Sequence, residues 1–226
     1  MSVRTAIRES SLSWFFGLIL LLTLVGQAYT GLAEYNSSVT IDDLPVLSIG
    51  EYVTSSQFAV DVAENWQSEY LQFLLYIVLT VWLVQRGSPE SKPVDETGGE
   101  DDKKQQVGRH ASAQSPRWAR AGGWRTTLYS NSLGILMGLF FLGSWGAQLV
   151  AGTSAYNSER LQNLLAPLSM PEYALSANFW NRTLQNWQSE FLAVGSMVVF
   201  SIYLRQRGSP ESKPVGAPHA ETGTEG

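Results

Sequence analysis

The sequence contains no cysteine and only two histidines among its 226 residues, and these absences limit its chemistry. Without cysteine there is no disulfide, no thiolate metal site and no thiol nucleophile. His110 and His219 lie in polar stretches of low complexity, which argues against histidine catalysis or haem ligation. The formal charge of −5 is small and does not indicate a nucleic-acid partner. We therefore predict no cofactor, no metal and no nucleic-acid binding. The chain also lacks the Ser/His, paired-Asp and metal-ligand sets of enzymes, so we predict that it is not one.

Long apolar runs are what the sequence does contain. A helix that spans a membrane needs about 20 mostly apolar residues, and the runs at 12–29 and 133–151 approach that length. The runs at 70–84 and 191–204 are shorter, so their helices must extend or the bilayer must thin. We predict an all-α membrane protein with four transmembrane helices in the lipid bilayer. A cleaved secretory signal is the alternative for the first run, but its length and the matching run in mid-chain argue against it.

The second half of the chain repeats the first at a constant offset of 121 residues. Residues 65–69 read Asn-Trp-Gln-Ser-Glu and recur at 186–190, and the ten residues at 85–94 recur unchanged at 206–215. This pattern indicates an internal duplication. Because each copy contains two apolar runs, the chain leaves the membrane on the side where it entered. The copies are therefore predicted to be parallel repeats, each one a helical hairpin.

The repeat predicts four segments along the chain. A first two-helix membrane repeat covers 1–94 and a second covers 125–215. Residues 95–124 are rich in Gly, Ser, Gln and mixed charge, which predicts a disordered cytoplasmic linker, and 216–226 are predicted to be a disordered tail.

Each outer loop carries the pattern of a helix start. Ser48 and Glu51 in the first copy, and Ser169 and Glu172 in the second, have the spacing of a capping box. We predict that each pattern begins a short amphipathic helix lying on the outer face of the membrane.

Basic residues are concentrated on one side of the predicted transmembrane helices. Of the 15 Lys and Arg residues, two (Arg4 and Arg8) precede the first run, eight lie between the second and third runs, and three follow the fourth. Only Arg160 and Arg182 lie in the other two loops. Because basic residues near transmembrane helices stay in the cytoplasm, both termini of this multi-pass protein are predicted to be cytoplasmic.

Four polar side chains are candidates for a site within the membrane. At about 1.5 Å per helical residue, they fall at similar heights in the outer leaflet: Gln27, Glu69, Gln148 and Glu190. A carboxylate at that depth is costly and usually faces a bundle interior, a partner or water. The layer is either a proton or cation relay or a set of polar contacts that hold helices together. A third interpretation places both carboxylates at the headgroup level, and all three stay open.

Two repeated motifs flank this layer. The outer motif is a candidate for the membrane interface and comprises Asn65, Trp66, Gln67, Asn186, Trp187 and Gln188. The cytoplasmic motif begins as a helix stop, with Arg in the last turn and Gly at a left-handed cap. A helix stop does not require the identities that follow it, so the motif is either a docking surface for a cytoplasmic protein or a product of recent duplication. Its candidate residues are Arg86, Gly87, Ser88, Pro89, Glu90 and Lys92 in the first copy, and Arg207, Gly208, Ser209, Pro210, Glu211 and Lys213 in the second.

In its N-W-Q-S-E-[YF]-L and R-G-S-P-E-S-K motifs, the chain resembles a bacterial family of uncharacterised membrane proteins with two such hairpins, a domain of unknown function. The resemblance covers residues 10–94 and 131–215 and implies the bacterial inner membrane, but no activity. We predict a non-enzymatic interaction or structural component of that membrane. The alternative is a small proton- or cation-conducting protein that uses the polar layer. Four helices enclose little space, so conduction would require a homo-oligomer.

Overall fold

A computed structural model describes residues 7–41 and 44–223. Eight α-helices and one short 3-10 helix have their bounds within these residues, and no strand is found there. The α-helices are α1 (Ser11–Ile41), α2 (Ile49–Val53), α3 (Ser56–Leu79), α4 (Arg117–Ala121), α5 (Gly123–Ser130), α6 (Ser132–Gln162), α7 (Met170–Ala174) and α8 (Ala177–Tyr203). The 3-10 helix, Gly108–His110, precedes α4. The predicted all-α fold is confirmed. Arg4, which contributes to the predicted orientation, lies outside the described residues.

Two helices are long and apolar enough to cross a membrane. α1 and α6 have 31 residues each, and their most apolar 18-residue windows have mean hydropathies of 1.8 and 1.7. Only 6% and 11% of these windows are buried inside the chain, so most of their apolar side chains have no protein cover. Two of the four predicted transmembrane helices therefore have the expected length and composition. α3 and α8 do not reach the same criterion, and the four-span topology stays a prediction.

The chain divides into two compact units, and the first comprises the described parts of Met1–Val62 and Val150–Leu168. Asn36 in α1 binds the loop that follows the helix: its side-chain oxygen accepts from the N–H of Leu47 at 2.8 Å, and its amide donates to the Leu47 carbonyl at 2.9 Å. Asn157 makes the same two hydrogen bonds with Leu168, both at 2.8 Å. The sequence match at the offset of 121 residues thus extends to the hydrogen bonds that close these loops.

The two short helices of the outer loops begin as predicted. In α2, the Ser48 hydroxyl accepts from the Glu51 N–H, and the Glu51 carboxylate accepts from the Ser48 N–H at 2.8 Å. In α7, Ser169 and Glu172 form the same pair, with the second bond at 2.7 Å. Both capping boxes are confirmed, and each helix has five residues. The Ser48 hydroxyl, and then its main-chain N–H, hold the pKa of Glu51 below its ordinary value.

The second unit comprises Ala63–Leu149 and the described part of Ser169–Gly226. Within it, α3 and α6 pack antiparallel. Tyr70 stacks on Phe140 with ring centroids 4.8 Å apart, and Leu74 lies against Gly138. One turn further along α3, Val78 lies against Gly134. The two glycines allow the leucine and valine side chains to approach the α6 backbone, as small residues do between membrane helices.

The cytoplasmic ends of the two predicted hairpins differ in length. α3 ends at Leu79 rather than continuing through the predicted apolar run to Val84. The Thr80 hydroxyl donates to the Tyr76 carbonyl at 2.6 Å, and the chain turns at residues 80–82. α8 continues to Tyr203, which is equivalent to residue 82 in the first copy. Within the predicted linker, residues 95–116 carry turns and the 3-10 helix, and α4 and the start of α5 follow. The predicted disorder of residues 95–124 and 216–226 stays a prediction.

Candidate functional site

Equivalent parts of α3 and α8 face each other in the second unit. Three polar contacts join them, and the paired residues are separated by 118, 120 and 122 positions. The Arg182 guanidinium donates to the Glu64 carboxylate at 2.6 Å, and the Trp187 indole N–H donates to the Gln67 side-chain oxygen at 2.8 Å. Because the residue numbers rise together on both helices, α3 and α8 run parallel.

The predicted carboxylates of the polar layer lie on these two helices. Glu69 is exposed and Glu190 is half-buried. The Ser68 hydroxyl lies 3.5 Å from the Glu190 carboxylate, a long hydrogen bond, and Glu69 is close enough for its negative charge to act on Glu190. The structure therefore brings both carboxylates to the α3–α8 pair, with the repulsion that two like charges imply.

The amide side chains are buried more deeply than the carboxylates. Gln67 and Gln148 are both 0% exposed. The Gln148 amide donates to the Thr183 hydroxyl at 3.3 Å, and its oxygen has no hydrogen-bond partner among the described residues. The same is true of the Gln67 amide nitrogen and the Trp145 indole nitrogen. Buried polar groups without partners cost about 1–3 kcal/mol each, which makes this cluster a costly feature of the second unit.

Three members of this cluster were not predicted as a layer with Gln148. The sequence pattern places Gln67 at the membrane interface and predicts no site for Trp145 or Thr183. A local signal was available for Trp145, because it precedes Gln148 by three residues and so shares its helix face. Trp145 also lies against Trp187 and Phe179, with ring centroids 6.1 and 6.2 Å away.

The two copies of the outer motif have different surroundings. In the first copy Gln67 is buried while Asn65 and Trp66 are exposed. In the second copy Trp187 and Asn186 are half-buried while Gln188 is exposed. The motif thus supplies the α3–α8 contact with one glutamine from the first copy and one tryptophan from the second.

The cytoplasmic motif folds into the same turn in both copies. We call residues 85–90 the first loop and residues 206–211 the second loop. In the first loop the Gln85 N–H donates to the Ser91 hydroxyl at 2.8 Å, and the equivalent bond from Gln206 to Ser212 measures 2.9 Å. The third residue of each loop is a glycine with positive φ, +87° at Gly87 and +79° at Gly208. Glycine is required there because other residues adopt this left-handed conformation only with strain.

Among the residues that the structure describes, the first loop is covered by other parts of the chain and the second loop is largely exposed. We call residues 212–223 the tail. The Gly87 N–H donates to the Thr222 hydroxyl at 2.8 Å, and the Gly223 N–H donates to the Ser88 carbonyl at 3.1 Å. Gly87, Ser88 and Pro89 are all buried, whereas Gly208 and Pro210 are exposed and Ser209 is half-buried.

Lys213 fixes the tail in this position. Its side chain is 1% exposed, and its ammonium donates to the carbonyl of Gly87 at 2.6 Å. It also donates to three carbonyls within the tail, those of Pro218, His219 and Glu221, at 3.0–3.2 Å. Burial lowers the pKa of Lys213, and the nearby Arg205 lowers it further. The four carbonyl acceptors act in the opposite direction, because each favours the protonated amine.

The motif also carries charged side chains whose exposure differs. Arg86, Arg207 and Glu211 are exposed, while Glu90 and Lys92 are half-buried. Glu90 accepts a hydrogen bond from Tyr76, and Lys92 lies 3.2 Å from the Glu100 carboxylate. The second loop therefore presents opposite charges on either side of its glycine.

The first unit contains a polar cleft of about 680 Å³. Its walls carry the carboxylates of Glu34, Asp61 and Glu159, and the predicted layer residue Gln27 also lines it. Gly31 lets the Tyr52 hydroxyl approach α1, because a Cβ at this position would collide with it. In the described part of the chain, no group of three or more His, Cys, Asp or Glu side chains is arranged to hold a metal ion.

An all-α chain with two helices long and apolar enough to cross a membrane fits the class of helical membrane proteins. The chain belongs to a family described as a domain of unknown function (DUF6766), whose match covers residues 3–224. The predicted membership in an uncharacterised family is confirmed, while the bacterial origin stays a prediction. No curated protein and no solved structure matches the chain.

Proposed function

We propose that the chain is a non-enzymatic component of the bacterial inner membrane that crosses the bilayer four times and docks a protein on its cytoplasmic side. The membrane location is supported by α6, which lies in mid-chain and so cannot be a signal sequence. Its apolar window is 11% buried, so it is not the core helix of a soluble domain either. Lipid is the solvent that matches such a surface.

The docking role rests on the cytoplasmic motif. A ten-residue sequence occurs twice and folds twice into the same hydrogen-bonded turn. The second loop presents this turn at the surface, flanked by the exposed side chains of Arg207 and Glu211. A rigid turn with both charges exposed is the kind of surface that gives a specific contact at small entropic cost.

The topology can be tested by cysteine labelling, since the native chain contains no cysteine. Single cysteines at Arg207 and Ser176 should react with a membrane-impermeant maleimide from the cytoplasmic and the outer side, respectively. Reaction of both from the same side would overturn the four-span topology.

The docking role can be tested in native membranes with a photo-crosslinking residue at Arg207. We expect a discrete adduct there, and none when the same residue replaces Leu184, an exposed position of α8 outside the motif. Absence of an adduct at Arg207, or an identical pattern at both positions, would contradict docking at the second loop.

Proton or cation conduction is the second candidate function. It is favoured by the placement of Glu69 and Glu190 beside buried amide side chains of the same unit. Flux in proteoliposomes that the Glu69→Gln/Glu190→Gln double variant loses would establish conduction. Flux no greater than that of empty liposomes would leave the carboxylates as contacts between helices.

A further inference from the structure

The tail and the first loop form a complete example of a loop bound to a segment that turns back on itself around a lysine. All three loop atoms that bind the tail belong to the main chain: the Gly87 N–H, the Gly87 carbonyl and the Ser88 carbonyl. The tail supplies the Thr222 hydroxyl, the Lys213 ammonium and the Gly223 N–H. Recognition therefore depends on the conformation of the loop, with its positive φ at glycine, rather than on the loop side chains.

The second loop offers the same main-chain atoms without a tail over them. Its sequence is identical, and the hydrogen bonds from Gln206 to Ser212 and from Glu211 to Ser209 match those of the first copy. The Ser209 carbonyl also accepts from the Ser212 N–H at 3.3 Å, so a bound segment would use its second lone pair. A Cβ at Gly87 would collide with the tail carbonyl of His219, whereas a Cβ at Gly208 would meet nothing within 4 Å. The surface that receives the tail in the first copy is thus exposed in the second.

We propose that the second loop binds a segment of another protein that reproduces the tail and turns back on itself in the same way: a lysine followed, nine and ten residues later, by a threonine and a glycine. The lysine would donate to the Gly208 carbonyl, the threonine hydroxyl would accept from the Gly208 N–H, and the glycine N–H would donate to the Ser209 carbonyl. This inference rests on the proposed docking role and names the chemistry of the partner.

A second copy of this chain is a poor source for that segment. Its own tail is held on its own first loop, where the covalent connection gives an effective concentration in the millimolar range. Transfer of the tail to the second loop of another chain would exchange one set of hydrogen bonds for an equal set and lose that advantage. A partner whose segment has no loop of its own does not face this competition.

The test uses the full-length protein in nanodiscs and a synthetic peptide with the sequence of residues 212–223 as the probe. We expect one peptide to bind per chain while the tail stays in place. Replacing the lysine of the peptide by methionine removes a charge-assisted hydrogen bond and should weaken binding at least about tenfold. Replacing its threonine by valine should also weaken binding, and neither change alters the folding of the protein.

The site of binding can be located by disulfide trapping, because the native chain has no cysteine. A peptide with one cysteine added after its last glycine, which keeps the glycine that has a positive φ in the tail, should crosslink to a Ser209→Cys protein. It should not crosslink to a Ser88→Cys protein, where the tail already covers the loop. Crosslinking at Ser88 alone would show exchange with the tail and overturn the proposal, as would equal binding of the lysine and methionine peptides.

The outcomes separate this inference from the proposed function. If the photo-crosslinker at Arg207 captures a protein but the peptide does not bind, docking stands and the tail-like chemistry is wrong. If chains associate in nanodiscs through their second loops and the peptide disperses them, the partner is a second copy, and the assignment to another protein is overturned.

Discussion

The ammonium of Lys213 lies 2.6 Å from the main-chain carbonyl oxygen of Gly87, although 126 positions separate the two residues. Lys92, the equivalent lysine of the first copy, reaches only the Gly98 carbonyl at 3.2 Å and the Glu100 carboxylate. Both lysines do contact the carbonyl six residues further along the chain, at Gly98 and at His219. The local fold of the two copies is therefore shared, and the long-range contact belongs to the second copy alone.

Lys213→Met should release the tail from the first loop. The variant removes an ammonium whose three N–H groups are shared among four carbonyl oxygens, and it leaves the Gly87 carbonyl without its ammonium donor. Because hydrogen bonds to charged groups contribute about 1.5–3 kcal/mol, we expect the docked tail to lose about 2 kcal/mol or more. Hydrogen exchange should then become faster at the amides of Gly87 and Gly223. Lys92→Met is the matched control, and an equal effect there would contradict the special role of Lys213.

The loop closures by Asn36 and Asn157 should contribute equally to stability. Alanine at either position leaves one N–H and one carbonyl of the loop without a partner, at Leu47 or Leu168. We expect each variant to lower the free energy of unfolding by about 1–3 kcal/mol, measured by denaturation in detergent micelles. Asn163→Ala is the control, because the Asn163 amide donates to the Glu159 carbonyl at the exposed end of α6 and closes no loop. A large effect of the control, or none at Asn36 and Asn157, would refute the prediction.

The contact between α3 and α8 can be tested with the two equivalent tryptophans. Trp187→Phe keeps a ring in place but removes the donor to the side-chain oxygen of Gln67, which is fully buried. Since the buried glutamine would then have neither polar group paired within the described residues, we expect a loss of about 1–3 kcal/mol. Trp66→Phe changes an exposed ring and should leave unfolding nearly unchanged. Equal losses would mean that the indole N–H does not stabilise this contact.

The local features of this fold follow directly from the sequence. A capping box needs only a serine and a glutamate three residues apart, so both short helices could be placed from Ser48 and Ser169 without knowledge of the tertiary structure. The positive φ of Gly87 and Gly208 is the expected one, but the predicted helix stop is wrong: α3 ends at Leu79 and α8 at Tyr203, so each glycine lies in a separate turn beyond its helix. These features recur in both copies because they depend on residues that are identical in both.

The differences between the copies could not be predicted from the repeat. Gln67 is buried and Gln188 is exposed, although both belong to the same five-residue motif. Burial depends on neighbours that the motif does not contain, and these differ between the copies. Gln148 faces Thr183, whereas the residue equivalent to Thr183 in the first copy is Val62. The loops differ for a simpler reason, since one tail can cover only one of them.

Acid should weaken the start of α2 in a specific pH range. Hydrogen bonds from Ser48 hold the pKa of Glu51 below its ordinary value of 4.5, so the folded state favours the ionised carboxylate. The stability that this pair contributes is therefore fully present above pH 4.5 and is lost as the pH falls through the lower pKa of the folded state. Carboxyl NMR of selectively labelled protein should show Glu51 titrating below 4.5. Ser48→Ala should return that pKa toward the ordinary value, because it removes the side-chain donor named first among the causes of the shift. Titration of Glu51 at 4.5 or above in the native chain would mean that the capping box does not form in solution.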